Sequence, residues 1–132
     1  ELGDRADMAP VYHNLGVIAQ ERGEHDQALH HYRRSLTICE ELGDRAGMAD
    51  TYSQLGALYT ETGEAAAAVP YTLHSLAIRG ELRLPTVVTD LRRLGRQRQA
   101  RGEREFTPIL SRHLAPATVP ALLDRLDRHI GR

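Results

Sequence analysis

The chain has no lysine and no tryptophan, and only one cysteine and one phenylalanine among its 132 residues. A single cysteine excludes an internal disulfide, and Cys39, at the end of a helical pattern, reads as a small packing residue. Without tryptophan and with one phenylalanine, the core has to be built from Leu, Ala and Tyr. The lack of lysine reads as GC-rich coding, so the arginines need not signal guanidinium chemistry. No apolar run approaches the roughly 18 residues of a membrane span, and no signal peptide opens the chain. These absences point to a cytoplasmic protein with no membrane partner.

Catalytic patterns are missing as well. The glycines stand singly and form no phosphate-cradling loop, and no serine lies in a nucleophile-elbow sequence. Among the seven histidines, His25, His30 and His31 cluster in sequence. His25 falls at a turn, however, and the adjacent His30 and His31 point apart on a helix. The i, i+4 histidine pair of a zinc helix with its third ligand is absent, so these read as solvated side chains. Most carboxylates fall at helix starts, where they answer the helix dipole. The expectation is a non-enzymatic chain with no catalytic, metal or cofactor site.

What is present is a repeat. Residues 1–24, ELGDRADMAPVYHNLGVIAQERGE, return as residues 41–64, ELGDRAGMADTYSQLGALYTETGE. Gly3 maps onto Gly43, Tyr12 onto Tyr52, Leu15-Gly16 onto Leu55-Gly56, and Gly23-Glu24 onto Gly63-Glu64, all 40 positions apart. A constant offset of this kind marks an array. Within the unit, Tyr12, Leu15, Gly16 and Ala19 give one helical face, and Gly23 stops the helix in a left-handed C-cap. Ala28, Tyr32, Ser35, Leu36 and Ile38 mark a second helix, Gly43 ends it, and Asp44 stands as N-cap for the next. Helices are expected at about 5–22, 25–42, 45–62 and 65–80.

A third unit has drifted. Leu91, Leu94-Gly95 and Gly102-Glu103 match the second unit at an offset of 39, so one residue was lost near Arg83–Thr86. Pro85 is placed to start a helix. Arg98, where the earlier units have Ala19 and Tyr59, predicts a less buried layer. Pro70 predicts a kink or late start in its helix, and Pro108 sits early enough in the next to be tolerated. Thr118 can cap a last helix with Val119, Leu122, Leu123, Leu126 and Ile130 on one stripe and Asp124, Arg125, Asp127 and Arg128 opposite. Such a helix caps a solenoid.

The run Tyr-x-x-Leu-Gly, a Gly-Glu turn and then Ala-x-x-x-Tyr resembles the tetratricopeptide repeat, with Tyr12 where tryptophan is usual. The usual period is about 34 residues. A period of 40 resembles the repeats of kinesin light chains, of Pins-like polarity adaptors and of the C-terminal arrays of regulatory switch ATPases. The resemblance implies an all-α right-handed solenoid: units 1–40, 41–80 and 81–115, then a capping helix 116–132. It implies a single domain, and with residue 1 at a unit boundary, a fragment of a longer protein.

By the same resemblance, the first helix of each unit lines a concave groove that binds a protein or peptide. The groove residues would be His13, Asn14, Val17, Gln20 and Glu21; Ser53, Gln54, Ala57, Thr60 and Glu61; and Arg92, Arg93, Arg96 and Gln99. Members that grip chaperone tails place Lys and Asn here. Asn14 and Arg93 fit that pattern, whereas His13 and Val17 depart from it. The function implied is a binding scaffold, or alternatively a sensor or autoinhibitory module of a larger bacterial signalling or transcription regulator.

Charge is uneven along the chain. Residues 1–80 carry 12 acidic side chains against 6 arginines, and residues 81–132 carry 6 against 11. Arg92, Arg93, Arg96, Arg98, Arg101 and Arg104 form the densest cluster. Without interleaved aromatics to stack on bases it argues against nucleic acid and suits a peptide with acidic residues at one end. At the other end of the array, Met8, Val11 and Leu15 lack a preceding unit to cover them. That predicts an interface there, such as a homodimer through the N-terminal helix.

Overall fold

The computed structural model describes residues 2–130, with side chains over residues 5–128. Seven helices follow one another with no strand among the described residues: α1 (Leu2–Glu21), α2 (His25–Leu42), α3 (Arg45–Glu61), α4 (Ala65–Glu81), α5 (Val87–Arg101), α6 (Glu103–His113) and α7 (Thr118–Ile130). Helices α1 and α2 pair, α3 and α4 pair, and each pair stacks on the next. The all-α array expected from the repeat is therefore what forms. Among the described residues no helix is long and apolar enough to cross a membrane.

One turn chemistry is used four times. The N–H of Glu24 donates to Ala19 O at 2.9 Å, Asp44 to Cys39 O at 2.9 Å, Glu64 to Tyr59 O at 2.8 Å and Leu84 to Arg79 O at 2.9 Å. Each is the long bond of a Schellman turn, which needs a left-handed residue just before it. Gly23, Gly43 and Gly63 supply it at φ 75°, 70° and 78°, whereas the fourth turn uses Arg83 at φ 55°. Asp44 then caps α3, its Oδ1 accepting the Gly47 N–H at 3.0 Å.

The Leu-Gly landmark is a packing device. A Cβ on Gly16 would stand 2.5 Å from Cε1 of Tyr32, and one on Gly56 would stand 2.5 Å from Oγ1 of Thr72. Each glycine lets the second helix of its pair close against the first.

Three differences from expectation have local causes. The late start at Pro70 does not occur, because α4 begins at Ala65 and runs through the proline. Its first turn is the helix-favouring alanine run 65–68, and Pro70 follows only after nucleation. Helix α5 begins at Val87, preceded by i→i+3 bonds from Val87, Val88 and Thr89 to Leu84, Pro85 and Thr86. Pro85 thus sits in a tight turn before the helix. The layer around Arg98 is not thinly packed. Val69, Leu73, Leu91, Leu94, Phe106, Ile109, Leu110, Val119, Leu122 and Leu126 make the largest apolar cluster among the described residues, which includes the chain's one phenylalanine. Arg98 is half-buried, and its guanidinium holds Glu103 and, at 2.7 Å, Asp127 of α7.

Helix α6 is short, with 11 residues against 18 and 17 in α2 and α4. Leu114 turns to extended backbone (φ −125°, ψ 151°), and Pro116 forbids continuation. Helix α7 then buries Val119, Leu122 and Leu126 and exposes Asp124, Arg125 and Arg128, as a capping helix should. The side chain of Ile130 lies outside the described residues.

Candidate functional site

Helices α1, α3 and α5 lie side by side as the first members of their pairs. Along α3 the exposed Ala46, Asp50 and Glu61 and the half-buried Gln54 and Ala57 recur at helical spacing as one stripe. Moving by the repeat offset extends it to Pro10, Asn14, Val17 and Glu21 on α1 and to Thr89, Arg93 and Arg96 on α5.

The sequence-predicted residues divide around this stripe. Asn14, Arg92, Arg96 and Gln99 are exposed, and Val17, Gln54 and Ala57 are half-buried. Gln20 is held on both sides: its Oε1 accepts the Tyr32 hydroxyl at 2.6 Å and its Nε2 donates to Glu61 at 2.9 Å. Burial, with Glu61 and Glu21 nearby, pushes the Tyr32 phenol well above its ordinary range, so it stays a donor. His13 is half-buried with its ring 5.8 Å from that of Tyr32. Burial lowers its pKa, and the carboxylate of Asp50 only partly offsets this.

Two predicted residues face inward. Thr60 Oγ1 donates to Gly56 O at 2.7 Å and accepts Gln97 Nε2 at 2.9 Å. Ser53 is 5% exposed, and its hydroxyl donates to Asp90 Oδ1 at 3.0 Å. Arg93 Nη1 donates to both the Ser53 carbonyl (3.0 Å) and hydroxyl (2.8 Å). The Arg93 side chain keeps 15% of its surface. Burial lowers its pKa against the opposing pull of Asp90.

Sequence reasoning missed the centre of this network. Arg79 of α4 donates through Nη1 to Asp90 Oδ2 at 3.0 Å and through Nη2 to Asp50 Oδ1 at 2.9 Å, and Ser75 donates to the same Asp90 oxygen at 2.7 Å. Asp90 is fully buried and Arg79 is 6% exposed. A signal existed. At the previous interface Cys39 stands in the place of Arg79, Ser35 in that of Ser75 and Thr51 in that of Asp90. Two facing positions thus differ as a pair between the interfaces, neutral in one and of opposite charge in the other.

A cleft of about 310 Å³ opens between α1 and α3, lined in part by Pro10, His13, Asn14, Cys39, Asp50 and Thr51. Cys39 is buried at its base, and burial raises its thiol pKa, which keeps it protonated. Among the described residues no three His, Cys, Asp or Glu side chains converge in a way that would hold a metal ion. The arrangement offers polar and charged groups for reversible contacts along three parallel helices.

A sequence model of one family, described as tetratricopeptide repeat, matches residues 7–81. No curated protein matches the chain.

Proposed function

The chain belongs to the tetratricopeptide-repeat family, and from that premise we propose that it is a non-enzymatic scaffold binding protein or peptide segments along α1, α3 and α5. Repeats of this family typically mediate protein–protein interaction. The observation that carries the groove reading is this stripe, with neutral groups at Asn14, Val17 and Gln54, carboxylates at Asp50 and Glu61, and the exposed guanidinium of Arg96 at its α5 end. Such a face suits an extended, cytoplasmic peptide with acidic residues at the α5 end. Residues 1–132 act as one domain in this reading. Binding to a panel of acidic, neutral and basic peptides, with Gln54→Trp blocking the stripe, tests it. Selective binding of acidic peptides that the Trp variant loses supports the groove; binding unaffected by Trp refutes it.

A second reading keeps the same fold. The 40-residue period, as in kinesin light chains, Pins-like adaptors and switch ATPase tails, suits a sensor or autoinhibitory module of a larger bacterial signalling or transcription regulator. It is favoured by the face of α1 on which Met8, Val11, Leu15 and Ile18 are 39–46% exposed. The equivalent residues of α3, among them Leu55 and Leu58, are buried against the preceding pair. A second copy or a neighbouring domain would cover that face, giving a homodimer in the first case.

A further inference from the structure

The cleft between α1 and α3 has a filled counterpart one repeat further on. Adding 40 to Pro10, His13 and Cys39, and 39 to Thr51, gives Asp50, Ser53, Arg79 and Asp90. Those four residues meet at the next interface, where the Arg79 guanidinium touches Asp50 (2.9 Å), Ser53 (3.3 Å) and Asp90 (3.0 Å). Above Cys39 the corresponding volume is open, because a short thiol stands where a long side chain does. An arginine side chain thus fits the equivalent space one repeat on; here Pro10, His13 and Thr51 replace the three groups that hold it, so a guest has to be held by other carboxylates.

We infer that this cleft is a subsite for a cationic side chain of the bound segment, arginine foremost. The proposal rests on the groove reading, since the cleft opens between the two helices whose stripes form that face. Its lining includes Asp44 and Asp50 and no arginine. Asp50 keeps 61% of its side-chain surface while one oxygen holds Arg79, which leaves the other for a guest. Ala9 and Pro10 offer apolar surface to the methylene stem. His13 adds no competing charge near neutrality, because burial favours its neutral ring. Thr51 in place of Asp90 removes the fully buried carboxylate. A guest here is thus held by partly solvated groups and exchanges, whereas Arg79 is locked. Together with Arg93 and Arg96 this predicts a partner that is basic where it crosses α1 and α3 and acidic where it crosses α5.

The test is an NMR titration of the isotope-labelled chain with N-acetyl-arginine amide and with its neutral isostere N-acetyl-citrulline amide. Saturable shifts at Asn14, Gly47 and Thr51 are expected with the arginine probe, and affinity about tenfold or more weaker with citrulline, because only the charge-assisted contacts are lost. The double variant Cys39→Arg, Thr51→Asp rebuilds the Arg79–Asp90 pair inside the cleft and should abolish the response with helicity unchanged. Equal responses to both probes, or none at these residues in the unmodified chain, overturn the subsite. If acidic peptides still bind at the arginine end, only the subsite is lost; if they do not, the groove reading falls with it.

Discussion

Arg79 and Asp90 are joined at 3.0 Å across the boundary between α4 and α5, at two positions that one repeat earlier hold Cys39 and Thr51. The same backbone interface is thus built in two ways, with small neutral groups that leave a cleft and with a buried ion pair that fills it. Removing Asp90 leaves the desolvated Arg79 with only the largely exposed Asp50 as a charged partner, which costs up to about 3–5 kcal/mol, whereas replacing both members of a buried pair together is often neutral. Asp90→Asn should lower stability by up to about 3–5 kcal/mol in denaturant unfolding. The double variant Arg79→Cys, Asp90→Thr, which copies the preceding interface, should recover most of that loss. Additive losses would show that the two interfaces are not equivalent.

Arg83 occupies the left-handed position that glycine holds in three other turns, at φ 55°. That conformation costs a residue with a Cβ about 1–2 kcal/mol, partly offset by the greater freedom glycine has when unfolded. Arg83→Gly should therefore stabilise by about 0.5–1 kcal/mol, and Gly43→Arg should destabilise by more. Thermal unfolding of the two variants checks the sign of each.

His13 gives a pH dependence of known sign. Its folded-state pKa lies below the ordinary value of 6.5, through burial first. The unfolded chain then binds the proton more readily, so this contribution to stability is complete above about 6.5 and is lost as pH falls below it. Unfolding midpoints from pH 8 to pH 5 should decline, and His13→Gln should flatten the upper part of that decline. An unchanged profile would mean the ring is protonated at no cost in the fold.

Much of this was legible in the sequence because repetition makes local rules visible twice. The turns at Gly23, Gly43 and Gly63 each follow from one residue and its neighbours in the chain, and Gly16 and Gly56 stand out because each recurs after the same leucine, although their contacts lie on the second helix of each pair. The Arg79–Asp90 network was not legible to the same reasoning, since its members come from three helices. Reading along α3 placed Ser53 beside Gln54, yet Ser53 turns toward Asp90, while Asp50, one turn earlier on the open stripe, was passed over. Burial is decided by what packs on a position, and one helix pattern does not show the second helix.

The exposed face of α1 is more apolar than its internal equivalents. Val11 stands where α3 has Thr51, bonded to Ser35 at 3.4 Å, and where α5 has Asp90. The α1 face of a second copy offers a matching apolar surface to cover it. Sedimentation equilibrium should show concentration-dependent dimer, and Val11→Glu with Ile18→Glu should return it to monomer. A chain that stays monomeric at high concentration, with the variant indistinguishable, removes the self-association.

The central claim is that peptide binding depends on the arginines of α5 beside the open stripe and not on the positive field of the C-terminal half at large. Fluorescence anisotropy of one labelled acidic peptide against two double variants separates these. Charge-assisted contacts that the bound peptide itself desolvates are worth about 1.5–3 kcal/mol, against less than about 1 on a face that stays exposed. Arg92→Ala with Arg96→Ala should therefore weaken binding tenfold or more, about 1.4 kcal/mol or above, and Arg125→Ala with Arg128→Ala should leave it nearly unchanged. Equal losses from the two pairs would contradict the groove.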